Sequence, residues 1–242
     1  MKTIRSSLVA ILSLSLSAIA LSPAEPVELA RLNAWKNAEK WAMAGAISAS
    51  TAQKKWKDVK PGNKILYNGA AGKAGNPVSK AEHGDAEIEV EFMIPKGSNS
   101  GIYLMQRYEV QILDSFGKPD SQLTYGDCGG IYRRWDESRE EKERGYEGTA
   151  PATNASTAPG TWQTFSIDFR APRFDAEGKK TENARFVQVK HNGVVIHEDA
   201  EVTGATRGGV GGPEVERAPL SIQGDHGPVA FRKILVRPTE FK

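Results

Sequence analysis

One cysteine, Cys128, stands in the whole sequence, so no intramolecular disulfide can form and stability has to come from a buried core. Charge of one sign is also missing. Thirty-two Lys and Arg against 30 Asp and Glu leave a formal charge of +2, with no Lys/Arg-rich face, which argues against a nucleic-acid partner. No zinc-ligand spacing appears, and His83, His191 and His197 lack companions of the metal-binding kind. Beyond the first residues no apolar run is long enough to span a bilayer. Long helical periodicity is scarce, and neither an internal repeat nor a linker is present.

The N-terminus is a separate matter. Lys2 and Arg5 precede the apolar run 8–16, which is followed by small residues, with Ala18-Ile19-Ala20 and Ser22-Pro23-Ala24 as cleavage sites. This three-part layout predicts a signal peptide over 1–24 and a mature chain of 25–242, forming one domain in the periplasm or outside the cell. The apolar run is too short for an anchor, and no cysteine near it offers a lipid attachment point.

What fills the rest is short alternation. Residues 86–94 put Ile88, Val90, Phe92 and Ile94 on one face and Glu87, Glu89 and Glu91 on the other, a half-buried strand with a solvated acidic side. Residues 102–104, 108–113, 161–169 and 231–237 read as further strands. Asn192-Gly193 between apolar runs is a strong hairpin signal, because both residues tolerate positive φ. Residues 33–46 fit either a helix or an alternating strand. The charged run 133–144 reads as a solvated loop or a short surface helix. Many short strands predict an all-β fold of two packed antiparallel sheets.

Polar residues alternating along a strand can line a groove on the outer face of such a sandwich. Along 108–114, Glu109 and Gln111 point one way and Tyr108, Val110 and Ile112 the other. A small kink could return Asp114 to the polar side. Two carboxylates and an amide on one strand suit acid/base work on a sugar. Asp225-His226 between glycines offers a group that titrates near neutrality, or a turn whose Asp bonds its own backbone. Cys128 has no organised His partner and reads as a buried structural residue. Asn154-Ala155-Ser156 matches a glycosylation acceptor, a pattern common by chance.

The run Pro95-Lys96-Gly97-Ser98-Asn99-Ser100-Gly101-Ile102-Tyr103-Leu104, followed by Arg107-Tyr108-Glu109-Val110-Gln111-Ile112-Leu113-Asp114, closely resembles the 3-keto-disaccharide hydrolase domain family. Asp127-Cys128-Gly129-Gly130-Ile131-Tyr132, Pro159-Gly160-Thr161-Trp162, His191-Asn192-Gly193-Val194 and Gln223-Gly224-Asp225-His226-Gly227 follow in the same order. The resemblance runs from about Trp41 to the end. It implies a concanavalin A-like jelly-roll sandwich that acts on disaccharides or glycosides oxidised at C3. The chain departs from the family at Met105-Gln106, where members commonly carry Gly or Arg, and in the length of 133–144.

A C3 ketone acidifies the C2 hydrogen and lets the C1 oxygen leave by elimination, after which water adds back to complete a net hydrolysis. The expected catalytic set is Glu109 or His226 as base and Asp114 as acid or orienter. Arg107, Gln111 and Asp225 are expected to bind substrate, with Tyr103, Tyr132 or Trp162 stacking on a ring. A divalent metal ion could replace a protein donor at the enolate. Two rivals remain: a non-catalytic carbohydrate-binding module, and a conventional glycosidase, for which Glu109-x-Gln111-x-x-Asp114 resembles the laminarinase-type catalytic strand.

Overall fold

Period-two alternation becomes sheet throughout the computed structural model, which describes residues 25–241. The expected signal peptide at 1–24 lies outside the described residues. The chain runs through β1 (Val27–Glu28), β2 (Trp35–Lys36), β3 (Ala42–Ala49), β4 (Trp56–Tyr67), β5 (Val78–His83), β6 (Ala86–Met93), β7 (Asn99–Leu104) and β8 (Tyr108–Leu113). A short pair follows, β9 (Arg134–Trp135) and β10 (Gly145–Tyr146), and then β11 (Gln163–Arg170). A second short pair, β12 (Arg173–Phe174) and β13 (Lys180–Glu182), leads to β14 (Ala184–His191), β15 (Val194–Val202), β16 (Ala218–Ile222) and β17 (Ala230–Pro238).

Two sheets carry the fold. The larger has the order β15-β14-β11-β6-β17-β4-β3, with β1 also on β17; the smaller has the order β2-β5-β16-β7-β8. Every strand pair among the described residues is antiparallel. This is the two-sheet sandwich of a concanavalin A-like jelly roll. Phe92, Phe165, Phe169, Phe186 and Phe231 of the large sheet meet Ile102, Tyr108, Val110, Ile112 and Leu220 of the small one in one core. Fully burying side chains of this size stabilises the fold by about 1.5–3 kcal/mol each, which is how it holds without a disulfide. No helix among the described residues is long and apolar enough to cross a membrane.

The segment 33–46 resolves into a 3-10 turn (Leu32–Ala34), β2 and β3. Trp41 decides it. Its indole stacks on Phe231 with centroids 6.2 Å apart and donates to Gly75 O at 2.9 Å, anchors that an extended chain reaches. The charged run 133–144 forms most of the β9–β10 excursion, with a 3-10 turn at Glu141–Glu143. On the outer face of β6, Glu89 pairs with Lys233 and Arg237, and Glu91 pairs with Arg232. The Asn192-Gly193 hairpin has φ of 50° and 82°, the primed turn its residues favour. Met105 and Gln106 adopt the same left-handed conformation, with φ of 51° and 57°, in the tight turn between β7 and β8. Neither is a residue that favours it.

Candidate active site

The site grows from the β7–β8 hairpin. Tyr103 faces Glu109 and Gly101 faces Gln111 across the ladder, so Asn99, Gly101 and Tyr103 share the outer face with Glu109 and Gln111. The alternate residues Ile102, Val110 and Ile112 enter the core. β8 would be an edge, but residues 129–132 cover it: Gln111 N–H donates to Gly130 O at 2.9 Å, and Tyr132 N–H donates to Glu109 O at 3.0 Å. That pairing brings Tyr132 beside Glu109. On the other side, Gln223 N–H donates to Gly101 O at 2.9 Å, which carries the turn 223–227 up to the hairpin. Asn68 Nδ2 ties this turn down at Gly224 O (2.9 Å) and Gly227 O (2.7 Å), and Lys54 Nζ donates to His226 O at 2.6 Å.

The result is a cleft of about 340 Å³. Of the residues predicted from sequence, Tyr103, Glu109, Gln111, Tyr132 and His226 line it together. Asp225 reaches it through His226: the imidazole Nδ1–H donates to the Asp225 carboxylate at 2.6 Å. This bond leaves Nε2 as the proton-accepting nitrogen.

Three predicted residues stand elsewhere. Asp114 does not return to the polar face. It pairs with Lys96 at 3.0 Å and accepts from Gly97 N–H at 2.8 Å, closing the turn ahead of β7. Arg107 is buried, and its guanidinium donates to Met105 O (3.2 Å) and Pro213 O (2.9 Å), bracing loops instead of facing the cleft. Trp162 precedes β11 in the large sheet, packs on the satellite cluster around Trp56 and lies under the Arg232 guanidinium. Conversely, Asn99, Arg207, Gly208 and Gln223 line the cleft although the sequence reading gave none of them a site role. Asn99 had a signal, since it alternates with Tyr103 on one strand. Gln223 opens the Gly224-Asp225-His226 turn. Arg207 sits in a glycine-rich loop with no period to read.

Glu109 is the unusual group. It is 2% exposed, and burial pushes its carboxyl up to about 8, against the opposing pull of the Tyr103 hydroxyl that donates to it. The Tyr103 hydroxyl is itself pushed up by burial and by the neighbouring Glu109. Gly101 makes the space: a Cβ there would overlap the Glu109 carboxyl and stand 3.0 Å from its Cγ. Around this group the side-chain oxygens of Asn99, Gln111 and Gln223 are buried with no hydrogen-bond partner. A buried acceptor left unpaired costs about 1–3 kcal/mol, so three in one cleft ask for a ligand rich in donors.

The cleft holds one buried carboxyl and one imidazole. No three His, Cys, Asp or Glu side chains among the described residues stand close enough to hold a metal ion. The remaining histidines are structural. Burial lowers His83 and His191 to about 4 and also lowers His197, while their ring nitrogens bond Gly84 O, Gln163 Oε1 and Gly129 O. Cys128 is buried and pushed up to about 12, the inert thiol expected of it. Asn154 turns its amide inward, donating to Ser115 O (2.7 Å) and Lys118 O (2.8 Å), a poor posture for a glycan acceptor.

Residues 30–237 match the family described as the 3-keto-alpha-glucoside-1,2-lyase-like domain. Among solved structures, a candidate glycosyl hydrolase from Parabacteroides distasonis is 22% identical. The match covers 93% of this chain and 95% of that one, with a TM-score of 0.56. A second candidate glycosyl hydrolase from the same organism is 17% identical over 89% of this chain and 100% of that one, with a TM-score of 0.54. At these identities the likeness shows the fold. No curated protein matches the chain.

Proposed function

The chain belongs to the 3-keto-alpha-glucoside-1,2-lyase-like domain family, a carbohydrate-active one, and from that premise we propose that it cleaves glycosides or disaccharides whose sugar carries a ketone at C3, by elimination followed by hydration. The observation that carries this reading is the meeting, in one cleft, of a buried protonated carboxyl, an Asp-backed imidazole and three amide oxygens in need of donors. Sugar hydroxyls supply such donors.

The roles follow from how each environment treats a proton. His226 Nε2, with Asp225 holding the opposite side of the ring, takes the C2 proton. The C2–H electron pair delocalises toward the C3 oxygen as an enolate, and the C1–O bond then breaks. Glu109 still carries its proton at neutral pH and gives it to the departing oxygen, with Tyr103 donating to the carboxyl throughout. Water adding across the new C1–C2 double bond completes a net hydrolysis. An ordinary retaining glycosidase would need two carboxyls about 5–5.5 Å apart at the bond. Asp114, the second acid of that pattern, is occupied by Lys96 outside the cleft.

Release of 3-keto-glucose from a 3-keto-glucoside, with the unoxidised glucoside untouched, is the expected result. Cleavage of the unoxidised sugar at a comparable rate would sink the reading, and binding without release would favour a carbohydrate-binding module. The pH profile tests the roles. A folded-state value of about 8 means Glu109 holds its proton below that pH and loses it above. The rate should therefore fall about tenfold per unit above pH 8, as the acid form is titrated away. A rate that keeps rising through pH 9 would make Glu109 the base instead.

An export signal over residues 1–24 would put this chemistry outside the cytoplasm. Mass spectrometry of the chain recovered from its native compartment checks it, with a mature N-terminus near residue 25 expected and an intact Met1 fatal to the idea.

A further inference from the structure

One wall of the cleft carries a cation with no ion-pair partner among the described residues. Arg207 lines the same space as Tyr103 and Glu109. Its neighbour Gly208 closes on the Tyr103 hydroxyl, since a Cβ there would stand 3.0 Å from that oxygen. The Arg207 side chain is exposed but not loose: its guanidinium stacks on the Trp135 ring at 3.9 Å from the centroid. Arg133 stacks on the same ring at 4.9 Å, and the Arg207 N–H donates to Arg133 O at 2.8 Å, so two guanidiniums share one platform. Arg133 Nε is buried without a partner.

Neither guanidinium has a carboxylate at ion-pair distance among the described residues. The nearby acids are otherwise engaged. Glu137, which accepts from the Trp135 indole at 2.7 Å, pairs with Arg144 at 3.3 Å, Glu147 pairs with Arg134 at 3.5 Å, Glu214 bonds Lys180 and the Tyr108 hydroxyl, and Asp225 accepts from His226.

Resting on the reading of the cleft given above, we propose that this wall selects glycosides whose leaving half bears an oxyanion, a carboxylate or phosphate, held by Arg207 with Arg133 behind it. The sugar that reacts is neutral and is served by the amide oxygens of Asn99, Gln111 and Gln223, all acceptors. Arginine offers only donors and a fixed charge, in a planar fork that matches an oxyanion. Stacking on Trp135 holds that fork in place, so less freedom is lost on binding.

The probes are the 4-carboxyphenyl and 4-carbamoylphenyl 3-keto-glucosides, nearly equal in shape and different in charge. The reading is the ratio of their kcat/KM values, compared between the native chain and Arg207→Gln. That comparison cancels any intrinsic difference between the two leaving groups. The ratio should fall about tenfold in Arg207→Gln, stay partly preserved in Arg207→Lys, and shrink in the native chain as salt is raised. An identical ratio in the native chain and Arg207→Gln would overturn the inference while leaving the function intact. Cleavage of neither compound would overturn the function and the inference with it.

Discussion

Glu109→Gln should lower kcat on a 3-keto-glucoside by about 10²–10⁴-fold, the span that a positioned proton donor contributes. The substitution is a clean one for this site. At neutral pH the native carboxyl already carries its proton, so glutamine replaces a neutral group by a neutral group of the same shape. The Tyr103 hydroxyl keeps an oxygen to donate to, and the buried position gains no stranded charge. Substrate affinity should therefore move less than turnover, and the fall in rate above pH 8 should disappear with the group that causes it. Steady-state kinetics across pH read both quantities, and full turnover by Glu109→Gln removes this residue from the chemistry altogether.

Gly101→Ala should lower kcat by about 10²-fold without replacing any group that reacts, because a misplacement of about 1 Å is enough to do so. The glycine is not there for backbone freedom, as it lies within β7 and is not among the positive-φ positions. It leaves room. A methyl group at 101 would overlap the Glu109 carboxyl and press its Cγ at 3.0 Å. The carboxyl would have to swing away from Tyr103 and out of line with the departing oxygen. Overpacking of this kind costs about 1–3 kcal/mol, which a core of this size can bear. Chemical denaturation should show a folded protein, and kinetics a crippled one. In a Glu109→Gln background the same substitution should add little, since the proton it displaces is already gone. Native turnover by Gly101→Ala would mean that Glu109 is not held as described.

The parts of this arrangement that were legible in the sequence are those that follow from period two. Alternation along 108–113 put Glu109 and Gln111 on one face and Tyr108, Val110 and Ile112 on the other, which is how β8 stands. The two-sheet architecture followed from the same pattern. The ordered set of family motifs pointed to the His226 turn, which spacing alone could not have tied to a hairpin more than a hundred residues earlier. Asp114 failed for a local reason: an ion pair with Lys96 and a bond from Gly97 N–H were nearer than the groove. Arg107 follows a left-handed turn that aims it at the carbonyls of Met105 and Pro213. Trp162 leads into β11 of the other sheet and packs toward Trp56. Arg207 left no trace in sequence, because the wall it forms exists only once the glycine-rich loop is laid against Tyr103 and Trp135.

The strip 129–132 that runs along β8 has a bearing on how the protein behaves in company with its own copies. The last strand of a sheet presents a row of free backbone groups, an invitation to pair with another chain and begin a fibril. β8 would be such a strand, and it carries apolar residues of high β propensity beside Glu109. With Gly130, Tyr132 and Gly129 bonded along it, that invitation is withdrawn at the strand where association would do most harm. The same few residues that bring Tyr132 to the cleft thus keep this edge from pairing with a second copy of the chain.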